Sequence, residues 1–455
     1  MLQENQTQRL LELIEEKKFF EVRAILQESN EVDIADLFDE LKDEHLLLVY
    51  RLLPKETAAA AFAYLEPETQ ERLISVFSDK ELSFVLDELY MDDVADLIEE
   101  LPASVVKRVL RAVSSEERSL INQLMRYPEE SAGSVLTTEF VDLKANMTIA
   151  QAFEYIRSYG PDKETIYTCY VTDDQRHLQG VLSVKELLLA KSDQLVGSLM
   201  ETNVIFAYTT DDQEEVANLC ARYDLIALPV VDSEKRLVGI ITVDDVVDIM
   251  RQETTEDMEK MAAILPTDKS YFRTGIFETF KNRIPWLLLL MISATFTGMI
   301  ISGFENALAA QAALTAFIPM LMDTAGNSGS QSSVTVIRSL SLGDITFSDW
   351  YRVIWKELRV SLLCGLVLSV ANFVKILLVD NLLMQSGLSM AVILVICLTL
   401  FFTILMAKVL GCSLPILAKK LGFDPAVMAS PFITTIVDAL SLLAYFGFAT
   451  WILQI

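Results

Sequence analysis

The C-terminal stretch from Ala426 to Ile455, AVMASPFITTIVDALSLLAYFGFATWILQI, carries one charge, Asp438. A stretch of that length and polarity can cross a bilayer. A carboxylate near the middle of a span costs at least ~2.5–3.5 kcal/mol and is retained where it faces a partner or a water-filled path. No Lys, Arg or His shares the segment, so the expected partner is a cation. Thr434, Asp438 and Ser441 fall at i, i+4 and i+7, one polar stripe on an apolar helix. A second polar group follows Pro319, in Asp323-Thr324-Ala325-Gly326-Asn327-Ser328-Gly329-Ser330-Gln331. Two glycines, an asparagine and a glutamine at membrane depth are expected to break or distort the helix. Opened backbone is tolerated in a bilayer only where it is buried in protein or lines a cavity. Freed carbonyls and the Asn327 amide would be oxygen donors for a hard cation or its water shell; the alternative is close packing through small residues. Asp424-Pro425 reads as a helix start, N-cap then N1, with Pro431 weakening the helix before Thr434. Glu357 and Asn372 are weaker candidates, and Glu357 is expected at the cytoplasmic interface, paired with Lys356 or Arg359.

The elements that position these residues are five apolar spans, at about 284–303, 309–339, 355–379, 390–412 and 427–450. Arg273, Lys281 and Arg283 precede the first span. Arg338, Arg352, Lys356 and Arg359 separate the second from the third, and Lys408, Lys419 and Lys420 the fourth from the fifth. The remaining connections, around Glu305 and Asp380, have almost none. The excess of Lys and Arg marks the cytoplasmic side, which puts the N-terminal half inside and the C-terminus outside a cytoplasmic membrane.

The formal net charge of −27 divides sharply. Residues 271–455 carry nine acidic and eleven basic side chains, a net of +2, which leaves −29 on residues 1–270. So acidic a surface is no partner for nucleic acid, which needs a basic footprint. Its self-repulsion would be relieved by divalent cations. The first twenty residues read as a charged amphipathic helix rather than a secretion signal. The five cysteines lack metal-ligand spacing and read as reduced thiols, and the two histidines, His45 and His177, leave no HExxH metalloprotease site. A Gly-Lys dipeptide is absent, so there is no Walker A loop for ATP-driven pumping.

Residues 1–130 show apolar spacings of three and four. Val32-Asp33-Ile34-Ala35-Asp36-Leu37-Phe38-Asp39-Glu40-Leu41 recurs sixty residues on as Asp92-Asp93-Val94-Ala95-Asp96-Leu97-Ile98-Glu99-Glu100-Leu101, the signature of stacked helix pairs. Asp92 and Asp96, at i and i+4, share a helix face where like charges repel. A second repeat relates Tyr170-Val171-Thr172-Asp173 and Leu178-Gln179-Gly180-Val181-Leu182-Ser183-Val184-Lys185-Glu186 to Pro229-Val230-Val231-Asp232 and Leu237-Val238-Gly239-Ile240-Ile241-Thr242-Val243-Asp244-Asp245. This α/β unit present twice resembles a tandem pair of cystathionine-β-synthase (CBS) domains. The resemblance implies that Thr242 and Asp245 could hold phosphate and ribose of a nucleotide such as ATP; the alternative is that Thr242 only caps a helix. An acidic helix, Val243 to about Leu265, leads to the membrane.

The PMLMDTAGNSGSQ and LGFDPAVMASPFITTIVD segments, the CBS pair and LYMDDVADLIEELP together resemble the MgtE family of magnesium channels over essentially the whole chain. The resemblance implies a multi-domain membrane protein: an all-α helical-repeat N domain (1–130), two α/β CBS domains (131–195 and 196–250), an acidic plug helix (243–268) and a five-helix transmembrane domain (271–455). It also implies a homodimer, with a pore on the dimer axis lined by spans two and five. Asp438 would bind hydrated Mg²⁺ beside Asn327, with Asp424 near the cytoplasmic mouth. Sensing carboxylates would be Asp92 and Asp96 with Asp245, Asp248 and Glu253, then Glu256 and Asp257 nearer the membrane, and Asp212 and Asp224 in the second CBS unit. The expected function is Mg²⁺ uptake through a channel closed by internal Mg²⁺, with no enzymatic step. The alternatives are transport of another divalent ion such as Co²⁺ or Mn²⁺, or a membrane-anchored nucleotide sensor without transport.

Overall fold

A computed structural model describes residues 4–267, 271, 274–428 and 430–454; Arg273 lies outside them. The chain forms two compact units, Met1–Val247 and Asp248–Ile455.

The first unit begins with ten helices: α1 (Glu4–Glu15), α2 (Phe19–Gln27), α3 (Glu31–Glu40), α4 (Asp43–Tyr50), α5 (Lys55–Ala63), α6 (Pro67–Val76), α7 (Asp79–Glu88), α8 (Met91–Glu100), α9 (Ala103–Ala112) and α10 (Ser115–Leu124). The sixty-residue repeat is α3 and α8. Ile34, Ala35, Leu37 and Phe38 are buried on one, and Val94, Ala95, Leu97 and Ile98 on the other, so equivalent residues make equivalent core. Helices two apart pack together, α3 on α5, α5 on α7 and α7 on α9, as in a solenoid. Pro54 and Pro102 stand just before α5 and α9, while Ser78 with Glu81 and Ser114 with Glu117 form capping boxes on α7 and α10. Arg51 also clasps Glu81 through 2.8 and 3.1 Å bonds, and holds its carboxyl down at about 2.

Two three-stranded sheets follow. In the first, β1 (Val141–Leu143) runs parallel to β2 (Thr168–Thr172), which pairs antiparallel with β3 (Leu178–Ser183). The second repeats this with β4 (Ala207–Tyr208), β5 (Ala227–Val231) and β6 (Leu237–Thr242). Tyr170 faces Val181 across one hairpin, Pro229 faces Ile240 across the other, and each carries a bulge at its end. Helices α11 (Ile149–Tyr159) and α12 (Val184–Leu189) serve the first module, α13 (Gln213–Tyr223) and the start of α14 (Val243–Met261) the second. The modules exchange strand edges: Thr137 bridges to Ile240, and Glu201 to Val181. Gly239 and Gly180, at matching places in the repeat, leave room for those crossing segments; a Cβ would run into Leu136 and Thr137 at one and Met200 and Glu201 at the other. Phe140, Tyr170, Ala227, Leu237 and Ile240 fill the space between the sheets.

The second unit holds α15 (Ile276–Gly303), α16 (Glu305–Ala310), α17 (Ile318–Ser341), α18 (Trp350–Lys375, continuing as a π-helix to Leu383), α19 (Met390–Lys420) and α20 (Ser430–Leu453). Among the described residues, four segments are long and apolar enough to cross a membrane: Ile276–Gly303, Phe347–Leu383, Met390–Lys420 and Pro425–Leu453. Helix α17, which covers most of the second expected span, has 24 residues, is more polar and is not among them. Helix α19 is the hub, packed on α17, α18 and α20, and α17 also packs on α20. Their shared core contains Leu321, Ile396, Leu400, Ile404, Tyr445 and Phe446.

One expectation is overturned here. Helix α17 runs unbroken through Asp323–Gln331, and the irregular stretch precedes it, at Gln311 and the 3-10 turn Ala312–Phe317. Its glycines serve packing. Added carbon on Gly326 would meet Thr434 at 3.0 Å, and on Gly329 would meet Ile433 at 2.9 Å and the Ala407 carbonyl at 3.1 Å. Gly411 of α19 lies directly on the Gly329 backbone. Small residues let three backbones approach, the way helices associate in lipid. Pro431 likewise stands in the first turn of α20 rather than inside it, where its missing N–H costs nothing.

Candidate metal centres

In the first unit, the N-terminal turn of α8 places Asp92 beside two carboxylates from distant parts of the chain. One oxygen each of Asp92, Glu164 and Asp245 lie within 4.8 Å of one another. Asp92 Oδ1 and Glu164 Oε2 are shielded from solvent and have no hydrogen-bond partner. Asp245 is oriented by its own helix start: its Oδ2 accepts from Thr242 Oγ1 at 2.7 Å and from the Thr242 N–H at 3.3 Å. Burial, then Asp93, Glu164 and Asp245, push the Asp92 carboxyl up to about 9. Burial also raises Glu164 to about 7 and, with Asp245 beside it, Asp93 to about 6. Orphaned carboxylate oxygens converging at this spacing suit a hard divalent cation with oxygen ligands.

Asp92 and Asp245 are expected from the sequence and are brought together here; Glu164 and Asp93, beside them, are not expected from it. Glu164 sits in an irregular segment before β2, where no periodicity marks it. Asp96, one turn beyond Asp92, is exposed and stands outside this group. Thr242 makes a helix cap, as Ser183 does with Glu186 in the first module. Asp212 caps the start of α13 by accepting from the Glu214 N–H at 2.8 Å. Asp224 ends the same eleven-residue helix in a left-handed conformation, so the two cannot hold one ion.

In the second unit, Asp248 pairs with Arg251 at 3.3 Å and Glu253 is half-buried. Farther along α14 the helix meets the loop before α20. Asp257 accepts from Ser341 Oγ at 3.1 Å, and its burial raises its carboxyl above the usual range. Lys260 Nζ lies 2.7 Å from Asp424 Oδ2 and also contacts Glu256. Burial opposes the Lys260 charge, but Asp424 and Glu256 outweigh it and raise its pKa. Met261 packs on Ile337 and Ala426 below this contact. Glu256, Asp257 and Asp424 were expected; the protein's own cation among them was not. Asp424 Oδ1 accepts from the Ala426 N–H at 2.7 Å, but Asp424–Pro425 starts a 3-10 turn, Pro425–Met428, and α20 begins only at Ser430.

Within the apolar helices, Asn327 is exposed on α17 and Asp438 half-buried on α20. Thr434 and Thr435 turn their hydroxyls to the Pro431 carbonyl at 3.0 and 2.9 Å, and the Ser441 hydroxyl is buried without a partner. Asn372 is buried near the Cys397 sulfur. Glu357 departs from expectation: it is paired with neither Lys356 nor Arg359. Its Oε2 accepts from Ser332 Oγ at 2.6 Å, and Lys408, 5 % exposed, reaches the same hydroxyl at 3.3 Å and the carboxylate at 4.0 Å. Helices α17, α18 and α19 are thus joined by a buried charge pair, which spacing along one helix could not reveal.

Comparison with known proteins places this architecture. A family model described as a divalent cation transporter matches residues 318–448, the MgtE intracellular N domain matches 29–130, and CBS domains match 132–193 and 196–252. The magnesium transporter MgtE of Thermus thermophilus is 37 % identical over 449 residues, 98 % of each chain. This chain belongs to the MgtE family. The Bacillus subtilis MgtE magnesium transporter is 34 % identical over 443 residues, covering 97 % of this chain and 96 % of that one. Among solved structures, the cytosolic domain of the Mg²⁺ channel MgtE in complex with ATP is 39 % identical, with a TM-score of 0.51. It covers 53 % of this chain and 99 % of its own. The three carboxylates of the first unit therefore fall where MgtE has its N and CBS domains, and Asn327 and Asp438 within its transporter region.

Proposed function

We propose that this MgtE protein is a Mg²⁺-selective channel of the cytoplasmic membrane, with its N-terminal domains inside and its C-terminus outside, closed by Mg²⁺ bound to those domains. The apposition of α17 and α20 supports this reading most directly, because it presents Asn327 and Asp438 from two packed helices of an apolar unit. An ionisable residue so placed marks an ion path. A divalent ion crossing ~100 mV gains roughly 4.6 kcal/mol, twice the ~2.3 per unit charge, so no catalytic step is needed. Mg²⁺ gives up its waters reluctantly, and amide and carboxylate oxygens can hold it through that water shell. The donors are all oxygens, which favours Mg²⁺ over softer ions such as Co²⁺.

The chain acts as a homodimer in this reading. Exposed Asn327 and Gln331 on α17 cannot face lipid, and a second copy would bring two such faces together around a wet axis. Inside, Mg²⁺ at Asp92, Glu164 and Asp245 neutralises charges that otherwise repel, and Asp96, Asp248 and Glu253 are further sensing carboxylates. Glu256 and Asp257 on α14 act with Asp424 at the pore mouth, and Asp212 and Asp224 are further ligands at the ends of α13. ATP is a modulator held by the second CBS unit near Thr242 and Asp245, in line with the ATP complex of the solved relative.

Mg²⁺ uptake into proteoliposomes with an entrapped indicator tests the pore. Loss of uptake with Asp438→Ala and partial retention with Asp438→Glu are expected. Unchanged uptake with Asp438→Ala would refute the placing of the pore at Asp438, and no uptake by the wild type would favour a sensor without transport.

A further inference from the structure

The pore reading rests on one carboxylate, Asp438, yet α17 carries another. Asp323, Asn327, Gln331 and Thr335 recur every fourth residue and are all exposed, so they form one polar line along a helix otherwise packed into the unit. Asp323 makes no ion pair or hydrogen bond among the described residues. Its level relative to Asp438 follows from contacts on either side. Gly326 abuts Thr434, Gly329 abuts Ile433 and Val437, and Tyr445 donates to the Leu314 carbonyl at 3.0 Å. As numbers fall along α17 they rise along α20, so the helices are antiparallel. Asp323, one turn before Gly326, therefore comes level with Asp438, one turn beyond Thr434.

We propose that Asp323 is a second ion-contacting residue of the pore and sets its preference for divalent over monovalent cations. This rests on the pore reading and deepens it. Two carboxylates at one level repel when both are ionised, and a divalent ion between them cancels both charges. A monovalent ion cancels only one. Coulomb attraction scales with the product of charges, so a site with two carboxylates per protomer holds Mg²⁺ far more tightly than Na⁺. Asn327, one turn along the same line, is left to orient the water shell. Sequence reading passed over Asp323 because it stood within a motif taken for a helix break.

The test is Na⁺ current through the full-length protein in planar bilayers, recorded as Mg²⁺ is added from the outer side. Wild type should pass Na⁺ when divalent ions are removed and be blocked by low Mg²⁺. Asp323→Asn should raise the half-blocking Mg²⁺ concentration about tenfold or more, while Asp323→Glu should stay within a few-fold of wild type. Asp323→Ser is the second neutral variant should the amide not assemble, and it should behave alike. Half-block at the wild-type concentration in the neutral variants, with Asp438→Asn shifted, would overturn the role of Asp323 and leave the pore standing. No Mg²⁺ or Na⁺ current in wild type would instead overturn the pore reading itself.

Discussion

The carboxylates of the first unit make stability depend on pH in an unusual direction. Asp92 is raised from 3.8 to about 9 and Glu164 from 4.5 to about 7. Each binds more protons folded than unfolded, so stability is fully present below about pH 4 and is lost as pH rises through the folded values. At pH 7 an Asp92 held neutral against its ordinary value costs up to about 4 kcal/mol, at 1.36 kcal/mol per pKa unit. Glu164 and Asp93 share the same repulsion, so their costs do not simply add; a total of about 2–4 kcal/mol is reasonable. At about 2–4 °C per kcal/mol for a unit of this size, the first thermal transition should fall by roughly 5–15 °C between about pH 5 and pH 8.5 without divalent ions. About 10 mM Mg²⁺ should suppress most of that fall, since a ligand that binds only the folded state stabilises it. Asp92→Asn fills the same space without the charge. Its Mg²⁺-free transition at high pH should lie above wild type, and its response to Mg²⁺ should shrink. Intrinsic fluorescence of the full-length protein in detergent would follow both. A wild-type transition that is flat or rises with pH, or an Asp92→Asn transition below wild type, would refute the reasoning.

Other perturbations follow from contacts in the second unit. Lys260 holds Asp424 and Glu256 as a tethered cation, so Lys260→Met should leave those carboxylates repelling and make closure need more internal Mg²⁺, by about tenfold for a loss of roughly 1.4 kcal/mol; dose–response of channel block reads this directly. Lys408→Met leaves Glu357 a mostly shielded charge without its cation and should cost up to about 3–5 kcal/mol, seen as early melting in detergent; Lys408→Met with Glu357→Gln should recover most of it. Gly411→Ala would press a methyl into the Gly329 backbone and should separate α17 from α19, lowering thermal stability and flux together, whereas Gly298→Ala, in open space on α15, should change neither.

Local patterns exposed the repeats well, because a duplicated helix or hairpin repeats its core: Ile34 predicts Val94, and Val181 predicts Ile240. Four of the five expected spans correspond to helices long and apolar enough to cross a membrane among the described residues, and Asp438 stands out in the sequence by its isolation among apolar residues. What stayed hidden depends on long-range packing. Glu164 meets Asp92 and Asp245 only through the fold, and Lys408 meets Glu357 across two helices. Gly326 and Gly329 were misread as helix breakers because sequence cannot tell a glycine that frees the backbone from one that admits a neighbouring helix. Lys260 looked like an ordinary charge on an acidic helix until Asp424 was set beside it.

The most direct test of gated conduction is recording from inside-out membrane patches carrying the full-length protein, with Mg²⁺ as the only permeant cation. Internal-face Mg²⁺ would be raised from micromolar to about 10 mM, a range in which carboxylate sites of this kind fill. Currents that flow at low internal Mg²⁺ and shut at high are expected, with the closing concentration raised by Asp92→Asn. Currents that persist unchanged across the range would contradict gating by the acidic domains, and no current at any concentration would contradict the channel itself.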